Sequence, residues 1–173
     1  MCEQFAPLAG ERLTLRQGTR ADVDAVQRMR CDPTVVRWWN APKPGETAES
    51  IMNEEPNTYF FVIETPTGIA GGIQFSEEPD AQFHHAAIDI FLGAEYQGRG
   101  LGREAMKLLM DYLITVRGHH RLTIDPATTN QRAVRCYAAM GFREVGTLHA
   151  YQLMDDGTRL EGTLMEYIAD PSV

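Results

Sequence analysis

The chain has 173 residues, 43% of them hydrophobic and 23% charged, which is enough apolar side chain to build a core and argues against a disordered chain. With 24 acidic against 16 basic residues the net charge is −8, which excludes the basic stripe of a nucleic-acid or anionic-membrane surface and suits either simple solubility or a cationic small-molecule partner. Cys2, Cys31 and Cys136 show no metal-ligand spacing and fit a reducing, cytoplasmic compartment; residues 1–10 lack the basic start and apolar run of a leader, and no stretch nears the roughly 18 apolar residues of a membrane span.

Residues 11–17 alternate, with Leu13 and Leu15 on one face and Arg12, Thr14 and Arg16 on the other, as in a half-buried strand. Thr19-Arg20-Ala21-Asp22 then reads as a helix start, with an acid three residues after the Thr cap. Val23, Val26 and Met29 follow at helical spacing, and Pro33 ends or restarts that helix. Trp38-Trp39 leads into a loop at 40–45, marked by Pro42, Pro44 and Gly45. A short helix at 46–54 precedes two strands, 58–64 and 69–75, joined by a turn at Pro66-Thr67-Gly68. A third strand occupies 86–92.

The strongest helix covers 98–116, with Leu101, Ala105, Leu108, Leu109, Tyr112, Leu113 and Val116 on one stripe. A strand at 121–124 and a helix at 130–140, closed by Gly141, follow. Strands 143–153 and 160–168 are joined by Asp155-Asp156-Gly157-Thr158, a hairpin turn. The order β-α-α-β-β-β-α-β-α-β-β predicts one mixed α/β domain over 1–173, with its core at about 10–169.

Gln97-Gly98-Arg99-Gly100-Leu101-Gly102 follows a strand and opens the best helix. Glycines let a ligand approach the main chain, and the first N–H groups of a helix lack internal partners and carry partial positive charge. Together these make a phosphate site, to which Arg99 and Arg103 add charge. The loop lacks the Lys-Ser/Thr of a nucleoside-triphosphate P-loop and does not meet the dinucleotide pattern. A tight turn with no ligand is the alternative that the glycines alone leave open.

Gln97, Gly100 and Gly102 resemble the Q/R-x-x-G-x-G/A motif of the GCN5-related N-acetyltransferases (GNAT). Asn130, Ala133, Tyr137 and Gly141-Phe142 resemble that family's downstream N-x-x-A-x-x-x-Y-x-x-x-G-F block. The resemblance implies a mostly antiparallel sheet of six to seven strands splayed at an acetyl-CoA cleft and flanked by about four helices. It also implies that Gln97, Gly98, Arg99, Gly100, Leu101, Gly102 and Arg103 hold the pyrophosphate of acetyl-CoA. A narrower likeness to aminoglycoside 6′-N-acetyltransferases is carried by Ile88-Asp89-Ile90-Phe91-Leu92-Gly93, by Ile124-Asp125-Pro126 and by Val36-Arg37-Trp38-Trp39. Segment 41–57 and the C-terminal hairpin depart from it.

Amine acetylation needs a neutral amine, a polarised thioester and a proton for the departing thiolate; no metal is required. Asp89 lies mid-strand, facing opposite to Ile88 and Ile90, where it could bind an ammonium group and accept its proton or be an ion-paired strand residue. Asp125 precedes Pro126, either as a turn-initiating Asp or as a second carboxylate for a cationic acceptor; which of the two is the base stays open. Tyr137 is either a core aromatic or, by the resemblance, the acid that protonates the thiolate. Asn130 reads as a helix N-cap, and the resemblance adds a bond to the pantetheine arm. A backbone N–H near Phe91 or Leu92 is expected to hold the thioester oxygen. Trp38 and Trp39 are expected to wall the acceptor, one of them packing into the core. His84, His85, His119 and His120 read as strand and loop residues, without the companion ligands of a zinc site, and Cys136 as packing. The expected partner is a cationic small-molecule amine, with no nucleic acid or membrane, and the chain a monomer or homodimer.

Overall fold

The structure, a computed structural model, describes residues 5–169; Cys2 and the outermost ends of the expected 1–173 domain lie outside the described residues. Eight strands form one sheet: β1 (Leu8–Ala9), β2 (Thr14–Gln17), β3 (Thr58–Thr65), β4 (Gly68–Glu77), β5 (Ala86–Leu92), β6 (Arg121–Ile124), β7 (Arg143–Leu153) and β8 (Arg159–Ile168). Their spatial order is β1-β2-β3-β4-β5-β6-β8-β7. Every neighbouring pair is antiparallel except β5 with β6, which is parallel. Five helices accompany them: α1 (Val23–Arg30), α2 (Pro33–Trp39), α3 (Glu46–Ile51), α4 (Leu101–Thr115) and α5 (Gln131–Ala138).

Strand alternation divides the apolar side chains between two faces. Phe61 and Ile63 of β3 join Leu15, Phe75, Ile88, Leu109 and Leu113 in a core beneath α4 and α5. Phe60 and Val62 point the other way, into a second core with Val26 of α1, Val35 of α2, Ile51 of α3 and Phe91 of β5. Each fully buried side chain of this size stabilises the fold by about 2 kcal/mol.

The fold is the expected one, with three differences in detail. First, Pro33 restarts the helix: Asp32 Oδ1 accepts from Thr34 N at 2.8 Å, and the proline sits in the first turn. Trp38 and Trp39 therefore end a helix of their own, which raises the helix count to five. Second, α4 begins at Leu101 and not at Gly98, because Gly98 (φ +78°) and Gly100 (φ +79°) are left-handed. At its far end Val116 is 68% exposed and leaves the stripe, while Met106 and Met110 are buried in it. Third, a two-residue β1 extends the sheet, so that eight strands replace the expected six to seven.

Two of the sheet's irregularities bear on the site. β6 pairs with β5 only at Ala86–Leu122 and Ala87–Thr123, and the two strands then diverge. β7 slips in register against β8 between Leu148 and Gln152, where Ala150 has φ +51°.

Candidate active site

The divergence of β5 and β6 opens a cleft of about 840 Å³. Gly93 N donates to the Ala70 carbonyl and Glu78 N to the His85 carbonyl. These fix the hydrogen-bond phase of the β4–β5 ladder: odd-numbered residues of β5 spend their main chain on β4, and the main-chain groups of Ile90 and Leu92 face the opening. The Leu92 carbonyl is already used there, accepting from Gln97 Nε2 at 3.0 Å. Of the two positions expected to supply an N–H to the cleft, the ladder directs Leu92 towards it and turns Phe91 towards β4.

The glycine loop forms one end of the cleft, with Gln97 and Gly102 lining it. Arg12 braces the loop from outside: Nη1 donates to the Arg99 carbonyl at 2.8 Å, and Nε pairs with Glu104 Oε2 at 2.8 Å. Gly98, Arg99, Gly100 and Arg103 are exposed beside the cleft rather than within its lining, whereas Leu101 is buried beneath it.

Asp89, Asp125, Asn130, Tyr137, Trp38 and Trp39 all line the same cleft. Asp89 shares its sheet face with Phe91. Burial pushes its carboxyl up to about 6, against a hydrogen bond from Gln74 Nε2 at 3.2 Å that lowers it, with the Asp125 charge adding to the rise. Tyr137 projects from α5 and is 9% exposed; its hydroxyl holds no hydrogen bond to another described residue. Burial drives its pKa well above the ordinary phenol value, with Cys136 and Asp89 contributing, so the phenol keeps its proton at neutral pH. Asn130 caps α5, Oδ1 accepting from Ala133 N at 3.3 Å, while still reaching the cleft.

Both tryptophans are half-buried and line the cleft, in different surroundings. Trp39 packs edge-on against Phe91, centroids 5.3 Å apart, at the margin of the second core. Trp38 carries the Arg37 guanidinium over its ring at 4.9 Å. Cys136, read from sequence as packing, lines the cleft next to Tyr137, with burial raising its thiol. His119 is buried, Nε2 on Glu77 at 2.7 Å, with its ring stacked on His84; neither belongs to the cleft.

Several lining residues carry no signal in the sequence, and two of them lie on β7. Tyr151 of β7 donates its hydroxyl to Asp125 Oδ2 at 2.6 Å. That bond, and burial, raise its pKa to about 12. Gln152 also lines the cleft and ties β7 to α2, Nε2 donating to the Trp38 carbonyl at 3.0 Å. Nothing in the alternation of 143–153 singles out either residue.

The described residues contain no helix long and apolar enough to cross a membrane and no cluster of three metal-ligating side chains. The spermidine N(1)-acetyltransferase of Escherichia coli K12 is 29% identical over 140 residues, which cover 78% of this chain and 74% of that protein. The aminoglycoside N(6′)-acetyltransferase type 1 of Klebsiella pneumoniae is 26% identical over 159 residues, covering 81% of this chain and 78% of that one. The fold is shared with the Vibrio cholerae spermidine N-acetyltransferase solved with CoA and spermine, at TM-score 0.80 and 22% identity over 92% of this chain and 97% of that one. Residues 12–143 match the acetyltransferase (GNAT) domain. Because that match covers well over half of the chain, from the threshold of β2 to the start of β7, the chain belongs to the GNAT acetyltransferase family and is an acetyl-CoA-dependent N-acetyltransferase acting on amines.

Proposed function

We infer that the acceptor is a primary amine of a polycationic small molecule, in the first place the 6′-amine of an aminoglycoside, so that the enzyme would confer resistance from the cytoplasm. The observation that carries this reading is the pair of carboxylates, Asp89 and Asp125, on one cleft of a chain with net charge −8. The Klebsiella relative favours the aminoglycoside; the E. coli relative favours a second reading, a polyamine such as spermidine.

Acetyl-CoA supplies the activated acetyl group. Gln97 and the glycine loop at the N-terminus of α4 receive its pyrophosphate, Asn130 lies along the pantetheine path, and Leu92 N–H, preorganised on the free edge of β5, stabilises the oxyanion as the amine adds to the thioester carbonyl. Asp89 is the base: its carboxyl near 6 is ionised at neutral pH yet desolvated, so it holds the ammonium and takes its proton, directly or through water. The C–S bond then breaks, and the protonated Tyr137 hydroxyl supplies the proton that the thiolate needs. Asp125, the second carboxylate of the cleft, binds charge. Trp38 and Trp39 wall the acceptor, and no metal takes part.

The test is thiol release by the purified protein with acetyl-CoA and, in turn, kanamycin, tobramycin, spermidine, an N-terminal peptide and a hydroxylysine-type siderophore precursor. Turnover confined to the peptide or the siderophore precursor defeats the polycation reading. Acetyl-CoA binding with no turnover of any acceptor makes the chain a binding module.

A further inference from the structure

The bulge in β7 is built around one side chain. Leu148 pairs with Gly162 and Gln152 with Leu160, so the three residues 149–151 stand opposite Glu161 alone. Ala150 holds φ +51°, a conformation that costs an L side chain energy. Bulges re-aim side chains and are frequent beside active sites, and a strained residue persists only where its surroundings enforce it. Here the side chain that follows is Tyr151, which lies across the cleft mouth. Its ring rests on Gly162, where a Cβ would come within 3.0 Å of Cδ1, and its hydroxyl reaches Asp125. The strand beyond it is fastened to the end of α2: Asn40 Nδ2 donates to the Leu153 carbonyl at 2.9 Å, and Asp155 N donates back to Asn40 Oδ1 at 3.1 Å.

Asp125 closes β6 at a turn, where a carboxylate has rotamer freedom. The phenol fixes one of its oxygens. The other makes no hydrogen bond to a described residue. A Lys or Arg in the same place would fix the carboxylate and cancel its charge, but a neutral phenol fixes it and leaves the charge whole. An aromatic ring beside a carboxylate also receives cations on its face.

We propose that Tyr151 is a positioning and specificity residue: it locks Asp125 as the binding point for a second ammonium group of the acceptor and offers its own ring to that cation. This rests on the reading of the acceptor as a polycation. The role lies in binding and not in chemistry, so it belongs in KM.

The experiment takes the polycation that turns over best in the acceptor panel and measures kcat and KM for wild type, Tyr151→Phe, Asp125→Asn and the double variant. Tyr151→Phe is expected to raise the acceptor KM about tenfold, the size of a lost hydrogen bond to a charged group, with kcat within twofold and the acetyl-CoA KM unchanged. Asp125→Asn should raise it at least as much, and the double variant no further, because Tyr151 acts through Asp125. Gly162→Ala, which displaces the ring and leaves its hydroxyl chemistry untouched, should raise the same KM by a smaller factor and keeps the idea testable if the other variants fold poorly. An unchanged acceptor KM in Tyr151→Phe, a fall in kcat alone, or additive effects in the double variant overturns the proposal. If no polycation turns over while a peptide does, the acceptor reading fails and takes this role with it; the two failures are told apart by wild type alone.

Discussion

Replacing Asp89 by Asn separates what the carboxyl does for the reaction from what it costs the fold. Below about pH 4 the group is protonated in both the folded and the unfolded chain and contributes nothing to stability. As the pH rises from about 4 to 6 the unfolded chain releases its proton first, so stability falls; above 6 the deficit is constant. At 1.36 kcal/mol per pH unit, the rise from 3.8 to about 6 corresponds to about 3 kcal/mol. Asn has the same shape, stays neutral, and its Oδ1 can accept from Gln74 Nε2, which already lies 3.2 Å from Asp89 Oδ2. Asp89→Asn is therefore expected to stabilise the ligand-free protein near pH 8 by up to about 3 kcal/mol, a Tm rise of about 6–12 °C for a chain of this size. The gain should shrink to nothing by about pH 4. The same variant should lose about 10²–10⁴ in kcat, and the wild-type kcat/KM should rise with pH through about 6. The assay is thermal unfolding of both proteins across that pH range, beside thiol release. A stability difference that does not change with pH, or a wild type more stable than the variant near pH 8, would refute the assignment of a desolvated carboxyl.

Three further outcomes are expected. Tyr137→Phe should lower kcat about 10²-fold and leave acetyl-CoA affinity within twofold, read by single-turnover thiol release and calorimetry; a weakened donor affinity at normal kcat would make Tyr137 a binding residue. Arg12→Ala removes the brace on the Arg99 carbonyl. Its exposed ion pair with Glu104 is worth at most about 1 kcal/mol, so Tm should move by about 3 °C or less while the acetyl-CoA KM rises about fivefold as the loop loses preorganisation. Ala150→Gly relieves a left-handed alanine and should stabilise the protein by about 0.5 kcal/mol, seen as a higher urea midpoint at unchanged slope.

The parts of this enzyme that were legible in its sequence are those whose signals are local. Leu13 and Leu15 announce a strand because burial repeats every second residue; Asn130 announces a helix start because its side chain caps it. The glycine loop could be placed before α4, although only the positive φ of Gly98 and Gly100 fixes the helix start at Leu101. Asp32-Pro33-Thr34 holds a complete start signal for α2, a capping acid followed by a proline, although a proline after a helical stretch equally marks an end. Leu8–Ala9 is too short to carry a pattern. Asp89, Asp125 and Tyr137 were found as candidate residues, yet their meeting in one cleft depends on where β5 and β6 part. Tyr151 was hidden for a stronger reason: its direction is set by a register slip between two strands, which no single strand's alternation records.

The free inner edge of β5 has a consequence for how such a protein can change over generations. A grip made of main-chain N–H and C=O groups is indifferent to which side chains decorate the strand; of the common substitutions only proline, which deletes the N–H, removes a contact outright. On the proposed reading the donor side of the cleft is thus carried largely by topology, and drift at Ile90 or Leu92 leaves it standing. The acceptor side is inherited as spelling. On the proposed reading it is written in Asp125, in the end of α2 and in the bulge that aims Tyr151, three places outside the residues that pair β5 with β6. New amines can be tried by rewriting one wall while the other is held constant.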